Sequence, residues 1–120
     1  MNYPNHFIES YVHNGGIGVL IELGFSDSAT SRSEVFTRLA KDLALHIAAM
    51  APASIEDLLQ QPSVADISIT VGELISRADG NLDEKIAVLR FVRWSTNPQD
   101  ALQPGPPRSP AVIYDLRSVG

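Results

Sequence analysis

The chain has 120 residues, 44% of them apolar and 19% charged, and fourteen Asp and Glu outnumber nine Lys and Arg to leave a formal charge of -5 at pH 7. That composition fits one soluble domain with a modest core, and the negative balance excludes a general affinity for nucleic acid phosphates or anionic membrane surfaces. The lack of cysteine removes disulfides, thiolate nucleophiles and cysteine-ligated zinc, as suits a reducing cytosol, and no apolar run approaches the roughly 20 residues of a membrane span.

The start, MNYPNHF, has neither the basic n-region nor the apolar h-region of a secretory signal, so a cytoplasmic protein is expected, with Met1 to His6 leading loosely into the first strand. Asn14-Gly15 lies between two apolar runs. Both residues accept the positive φ angles of a type I′ turn, so Phe7 to Val12 and Ile17 to Leu23 are predicted to pair as a hairpin. Period-two alternation puts Ile17, Val19, Ile21 and Leu23 on one face, the core face, and Gly18, Leu20 and Glu22 on the other. Two strands alone rarely persist in water, so the rest of the chain must supply a third strand or a helical layer.

From Phe25 to Ser31 the side chains bond locally to backbone and favour loop and cap conformations. Either Ser31, at capping-box spacing from Glu34, or Ser33 caps the helix that follows. That helix is predicted over Glu34 to Met50, where Phe36, Leu39, Ala40, Leu43, Ile47 and Met50 recur at steps of three and four, and Pro52 bars its continuation. A short helix over Ile55 to Gln61 is capped by Ser54 and stopped by Pro62. A third begins at the Thr70 and Glu73 capping box, carries Val71, Leu74, Ile75 and Ala78 as its apolar stripe, and has a stop signal at Gly80.

Lys85 to Trp94 returns to strand character. Ala87, Leu89 and Phe91 are expected to face the core because the opposite face carries Arg90, and the Trp94 indole nitrogen is free for water or a partner. Pairing this strand with the hairpin gives an α+β fold: two layers, a three-stranded antiparallel sheet in β-β-helices-β order covered by helices. Past Ser95, five of the eight prolines (Pro98, Pro104, Pro106, Pro107 and Pro110) crowd together. The expected division is a core domain at 1–95 and a Pro-rich flexible tail at 96–120. Its apolar end, Ala111 to Leu116, either joins a sheet edge, docks on a partner or stays disordered.

His6, His13 and His46 lack zinc-site spacing, and His13 beside the turn is read as solvated. Asp79, Asn81 and Asp83 alternate like the first ligands of an EF-hand. Glu84 and Arg90, however, stand where that motif needs glycine and glutamate, so a helix-to-strand turn explains them. Gly15, Gly16 and Gly18 interrupt a hairpin and open no helix, unlike a phosphate loop. Arg90 and Arg93 form either a small basic site or a solvated face. Neither a nucleophile elbow nor a carboxylate pair stands out, so neither a cofactor nor covalent or hydrolytic catalysis is expected.

Three regions together resemble a known family. YVHNGGIGVLIEL, then EVFTRLAKDLALHIAAMAP, and finally EDLLQQP with TVGELI and EKIAVLRFVRW are similar, in this order, to the core (dimerisation) domain of bacterial elongation factor Ts, and cover most of Phe7 to Trp94. The resemblance implies the same two-layer unit, and a protein that binds the elongation factor Tu GTPase and speeds release of its GDP. In the family the second strand runs into a Thr-Asp-Phe-Val motif whose aspartate and phenylalanine push into the GTPase. Here Asp27, Ser28, Ala29 and Thr30 stand at those positions, so carboxylate and aromatic wedge are missing, with Asp27 one place early; Arg32 after them still fits. His46 matches a position that in the family faces the GTPase, the other reading being a partly exposed helix histidine.

Relative to the family, the small N-terminal helical domain and a long charged insertion before LLQQP are missing, and one subdomain copy stands where the family has two, which implies a homodimer. Exchange needs binding energy spent selectively on the nucleotide-free state. The expectation is therefore a binder of an elongation factor Tu-type GTPase with little exchange activity, Asp27, Ser28, Ala29, Arg32 and His46 being its contact residues. The alternative is a non-exchanging interaction or scaffold module that reuses the core fold in another assembly with another protein partner.

Overall fold

The structure is a computed structural model, and it describes residues 3–97. Strand β1 (Asn5–His13) turns into β2 (Ile17–Phe25), a short 3₁₀ turn (Ser28–Arg32) leads into helix α1 (Glu34–Met50), and α2 (Ile55–Gln60), α3 (Val71–Leu82) and β3 (Ala87–Ser95) follow. The sheet is antiparallel in the order β1-β2-β3, so the hairpin's second strand is central and bonded along both sides. This is the expected α+β architecture.

Asn14 and Gly15 both take positive φ, 50° and 69°, and Gly16 N–H donates to His13 C=O at 2.9 Å. The strand register pairs His13 with Ile17, so Gly16 makes the connection one residue longer than a two-residue turn. Beyond it Val19, Ile21, Leu23 and Phe25 point into the core beneath α1. Phe36 of α1 is their meeting point, with its ring 5.3 Å from Phe7 on β1 and 4.9 Å from Phe25 on β2. Leu39, Ala40, Leu43 and Ile47 continue the buried stripe, whereas Met50 at the end of the helix is 45% exposed.

Ser33, the second of the two cap candidates, accepts from the Val35 and Phe36 amides. Ser54 caps α2 and the Thr70 and Glu73 capping box opens α3. Gly80 does not stop α3. The helix runs on to Leu82 and closes with Asp83 in the left-handed region, where the Asp83 N–H reaches Asp79 C=O.

The expected core face of β3 is corrected by a bulge. Glu22 pairs with Arg90 while Leu23 pairs with Val88, so Leu89 is an extra residue and the alternation reverses across it. Phe91 faces the core as expected, but on the near side of the bulge Ile86 and Val88 do so, and Leu89 lies on the outer face against Gly24. A Cβ on Gly24 would come within 2.8 Å of Tyr3 and 3.1 Å of Leu89, so only glycine fits where those side chains cross. The two arginines of the proposed basic site, three residues apart on the regular stretch beyond the bulge, fall on opposite faces. Arg90 lies outside, bonded to Glu22, whereas Arg93 turns inward and donates from Nε and Nη2 to Ala48 C=O near the end of α1, where helix carbonyls lack partners and favour a cation.

Just beyond β3 the Thr96 N–H bonds Gly16 C=O at 2.9 Å. The apolar segment Ala111 to Leu116 and the prolines from Pro98 onward lie outside the described residues.

Candidate functional site

Four of the five predicted contact residues come together on one surface. Where β2 leaves the sheet, Asp27, Ser28 and Ala29 are exposed on the 3₁₀ turn, Arg32 is exposed at its end, and Thr30 between them is buried. Asp27 caps the turn with Oδ1, which accepts the Ala29 N–H at 2.9 Å, so one carboxylate oxygen is turned back onto its own backbone. Ser28 and Ala29 present a hydroxyl and a methyl group in the middle of the surface.

This turn is anchored from a distance by Glu84, which is 8% exposed. Its Oε1 accepts from the Ser26 N–H at 3.0 Å and the Lys85 N–H at 3.3 Å, and its Oε2 from the Asp27 N–H at 2.8 Å and the Thr30 hydroxyl at 2.7 Å. Burial opposes ionisation of Glu84. Together the four donors outweigh it and hold the pKa below its ordinary 4.5. Neighbouring Asp79 is pushed the other way, first by burial and also by the charge of Glu84, while the Ile86 N–H bonded to its Oδ1 partly offsets both.

A depressed folded-state pKa stabilises the fold fully above the unfolded value and is lost as pH falls through the folded one. The thermal midpoint is therefore expected to drop as pH falls below the ordinary 4.5, and to drop less in Glu84→Gln. Equal acid losses in the two proteins would remove Glu84 from the account.

His46 is elsewhere, and the expectation of a partly exposed ring is corrected: it is 1% exposed on the inner side of α1. Its Nδ1 accepts the Val64 N–H at 3.2 Å and its Nε2 donates to Gln61 Oε1 at 2.8 Å, which ties α1 to the connection between α2 and α3. That connection closes on itself through the Ser63 N–H to Ile69 C=O and Val71 N–H to Gln61 C=O bonds.

The outer face of the sheet is apolar where a solvated face would be polar. Ile8, Val12, Leu20, Val92 and Trp94 are exposed there, Trp94 by 67%. Register sets Gly18 between Val12 and Trp94, and the missing side chain leaves a dent of about 210 Å³ walled by both. At the other end the face turns polar, as Glu22 accepts from His6 Nδ1 at 2.7 Å and from Arg90 Nε at 2.5 Å. Those two bonds, His6 first, lower the Glu22 pKa.

Asp79 and Asn81 belong to α3 and Asp83 caps it, which is the helix-to-strand reading of that trio. Among the described residues no group of three acidic or histidine side chains could hold a metal ion, and no helix is long and apolar enough to cross a membrane.

A family model described as "Elongation factor TS" matches residues 1–58, which run from β1 through α1 into α2. The elongation factor Ts of Nostoc sp. is 37% identical over 89 residues, covering 73% of this chain and 28% of that protein. That of Trichlorobacter lovleyi is 33% identical over 70% of this chain and 27% of its own length. The elongation factor Ts of Methylacidiphilum infernorum is 32% identical, with 76% of this chain and 67% of that protein covered. The chain thus spans just over a quarter of the first two relatives and two thirds of the third. On that identity and coverage, the chain belongs to the elongation factor Ts family.

Proposed function

We propose that this chain acts in translation elongation as a cytoplasmic partner of an elongation factor Tu-type GTPase, docking through the exposed turn Asp27–Arg32 and exchanging nucleotide weakly. The observation that carries this reading is the turn itself, which is exposed, carries Asp27, Ser28, Ala29 and Arg32, and is hydrogen-bonded to a buried carboxylate. Docking needs such a surface, while accelerated release also needs a group that favours the nucleotide-free state. A serine hydroxyl and an alanine methyl supply neither charge nor bulk. His46 contributes indirectly, by fixing the 61–64 backbone. The same substitutions at Ser28 and Ala29 favour a second reading, a non-exchanging scaffold module with another protein partner.

Release of fluorescent GDP from elongation factor Tu, measured together with direct binding, separates the two. Binding with little acceleration supports the first reading, and no binding of the GTPase selects the second.

The apolar outer face supports a homodimer, because a contiguous exposed patch on a small domain costs free energy until another surface covers it. Leu20→Glu and Trp94→Glu are expected to leave the circular dichroism spectrum intact and to move sedimentation to the monomer position. Wild-type protein that already sediments as a monomer at high concentration would remove the dimer.

The core unit is assigned to 1–95 and the remainder to an appended tail. Deleting residues 98–120 is then expected to leave the thermal transition nearly unchanged. A large fall would make the tail part of the fold.

A further inference from the structure

We infer that Glu84 is a positioning residue for the docking turn: its ionised carboxylate sets the conformation in which Asp27, Ser28, Ala29 and Arg32 meet a protein partner. This deepens the docking proposal above and rests on it.

The geometry is specific to a carboxylate. Glu84 lies 54 to 58 residues from its three partners in the turn, and each of its two oxygens takes two donors. Two of those donors, the Ser26 and Asp27 amides, are backbone groups at the point where β2 leaves the sheet, and they have no helix or strand to pair with. The third, the Thr30 hydroxyl, is the buried side of the turn whose other side is exposed. Glu84 is itself held, since its own N–H bonds Asp79 C=O and the Ile86 N–H bonds Asp79 Oδ1. The junction of α3 with β3 therefore sets the shape of a turn that is distant in sequence but in direct contact with it. An amide in place of the carboxylate keeps the size of the side chain but turns one oxygen into a donor, which then faces N–H groups or the threonine hydroxyl. The charged groups around Glu84 are Asp27 on the turn, Asp79 on α3 and Lys85 beside it.

The test uses the full chain, labelled with nitrogen-15, as wild type, Glu84→Gln and the milder Thr30→Val. In wild type the Ser26 and Asp27 amide protons are expected to move upfield on acidification with a common midpoint below the ordinary 4.5. In Glu84→Gln that titration vanishes, and both amides exchange with solvent about tenfold faster or more relative to the Ile21 and Leu23 amides. Thr30→Val, which removes one donor and keeps the shape, moves the titration midpoint up and speeds the same two amides less. It decides the question if Glu84→Gln does not fold. Affinity for the nucleotide-free elongation factor Tu-type GTPase is expected to fall about tenfold in Glu84→Gln.

Unchanged relative exchange of the two amides, or absence of their titration in wild type, overturns the positioning role. So does wild-type binding that Glu84→Gln retains in full. Wild type that does not bind the GTPase sinks the docking proposal alone, because the resonance and exchange measurements read the turn without a partner.

Discussion

Phe36→Ala is expected to destabilise the protein by about 4 kcal/mol, within the roughly 3–5 kcal/mol seen when a fully buried phenylalanine is truncated. Phe36 is fully buried and is the one α1 ring that packs on both strands of the hairpin, edge-on to Phe7 and tilted against Phe25. Truncation leaves a cavity between the helix and the sheet that neither strand can close without breaking its ladder. Urea unfolding should show a much lower midpoint at nearly constant slope. Against a total of about 5–15 kcal/mol for a small domain, this loss removes much of the folded population's margin. Leu45→Ala, at an exposed position on the same helix, is the control and should change little. A change below about 1 kcal/mol for Phe36→Ala would mean that the two layers are joined elsewhere.

His46→Leu is the second large effect, expected at about 2–4 kcal/mol because two polar groups lose their partner at roughly 1–3 kcal/mol each and the added apolar contact recovers part. The groups are the Val64 N–H and the Gln61 side-chain oxygen. The double substitution His46→Leu with Gln61→Leu should be less damaging than the sum of the two single changes, since removing both members of a part-buried pair costs less than stranding one. Additive losses would show that the histidine and the glutamine act independently. Native-state amide exchange adds a local readout: Val64 should lose protection before the strand amides do.

Much of the fold was legible in the sequence because the signals that define it are local. Glu34 to Met50 was readable to the residue, since a three-and-four apolar rhythm with a serine in front and a proline behind leaves little freedom. The hairpin was readable from Asn14-Gly15, and α3 from Thr70 and Glu73. Where local chemistry permits two outcomes, reading failed. Gly80 is a common stop, yet the packing of Ala78 and Leu82 carries α3 past it. Along β3, strict alternation predicted one face throughout, and one extra residue at Leu89 exchanged the faces.

The candidate site divides in the same way. Asp27, Ser28, Ala29 and Arg32 were singled out because they follow a strand and stand at or beside the positions of a family motif, and the structure places them exposed on one turn. Glu84 was missed because its partners are more than fifty residues away, and a single glutamate in a turn carries no local mark of a buried acceptor. His46 was expected at the surface from a family position, whereas the fold buries it against the 61–64 connection, a contact that its own helix does not reveal.

By itself the sequence determined the elements, their order and the apolar surfaces that had to meet, because hydrogen bonding within a helix or turn and the period of apolar residues are properties of neighbours along the chain. Only the tertiary structure decided which face of β3 is buried, that the apolar outer sheet face is exposed among the described residues, and that one carboxylate ties down the Ser28–Arg32 turn. Those outcomes depend on strand register and on groups brought together by closing long loops, and neither leaves a trace in local spacing.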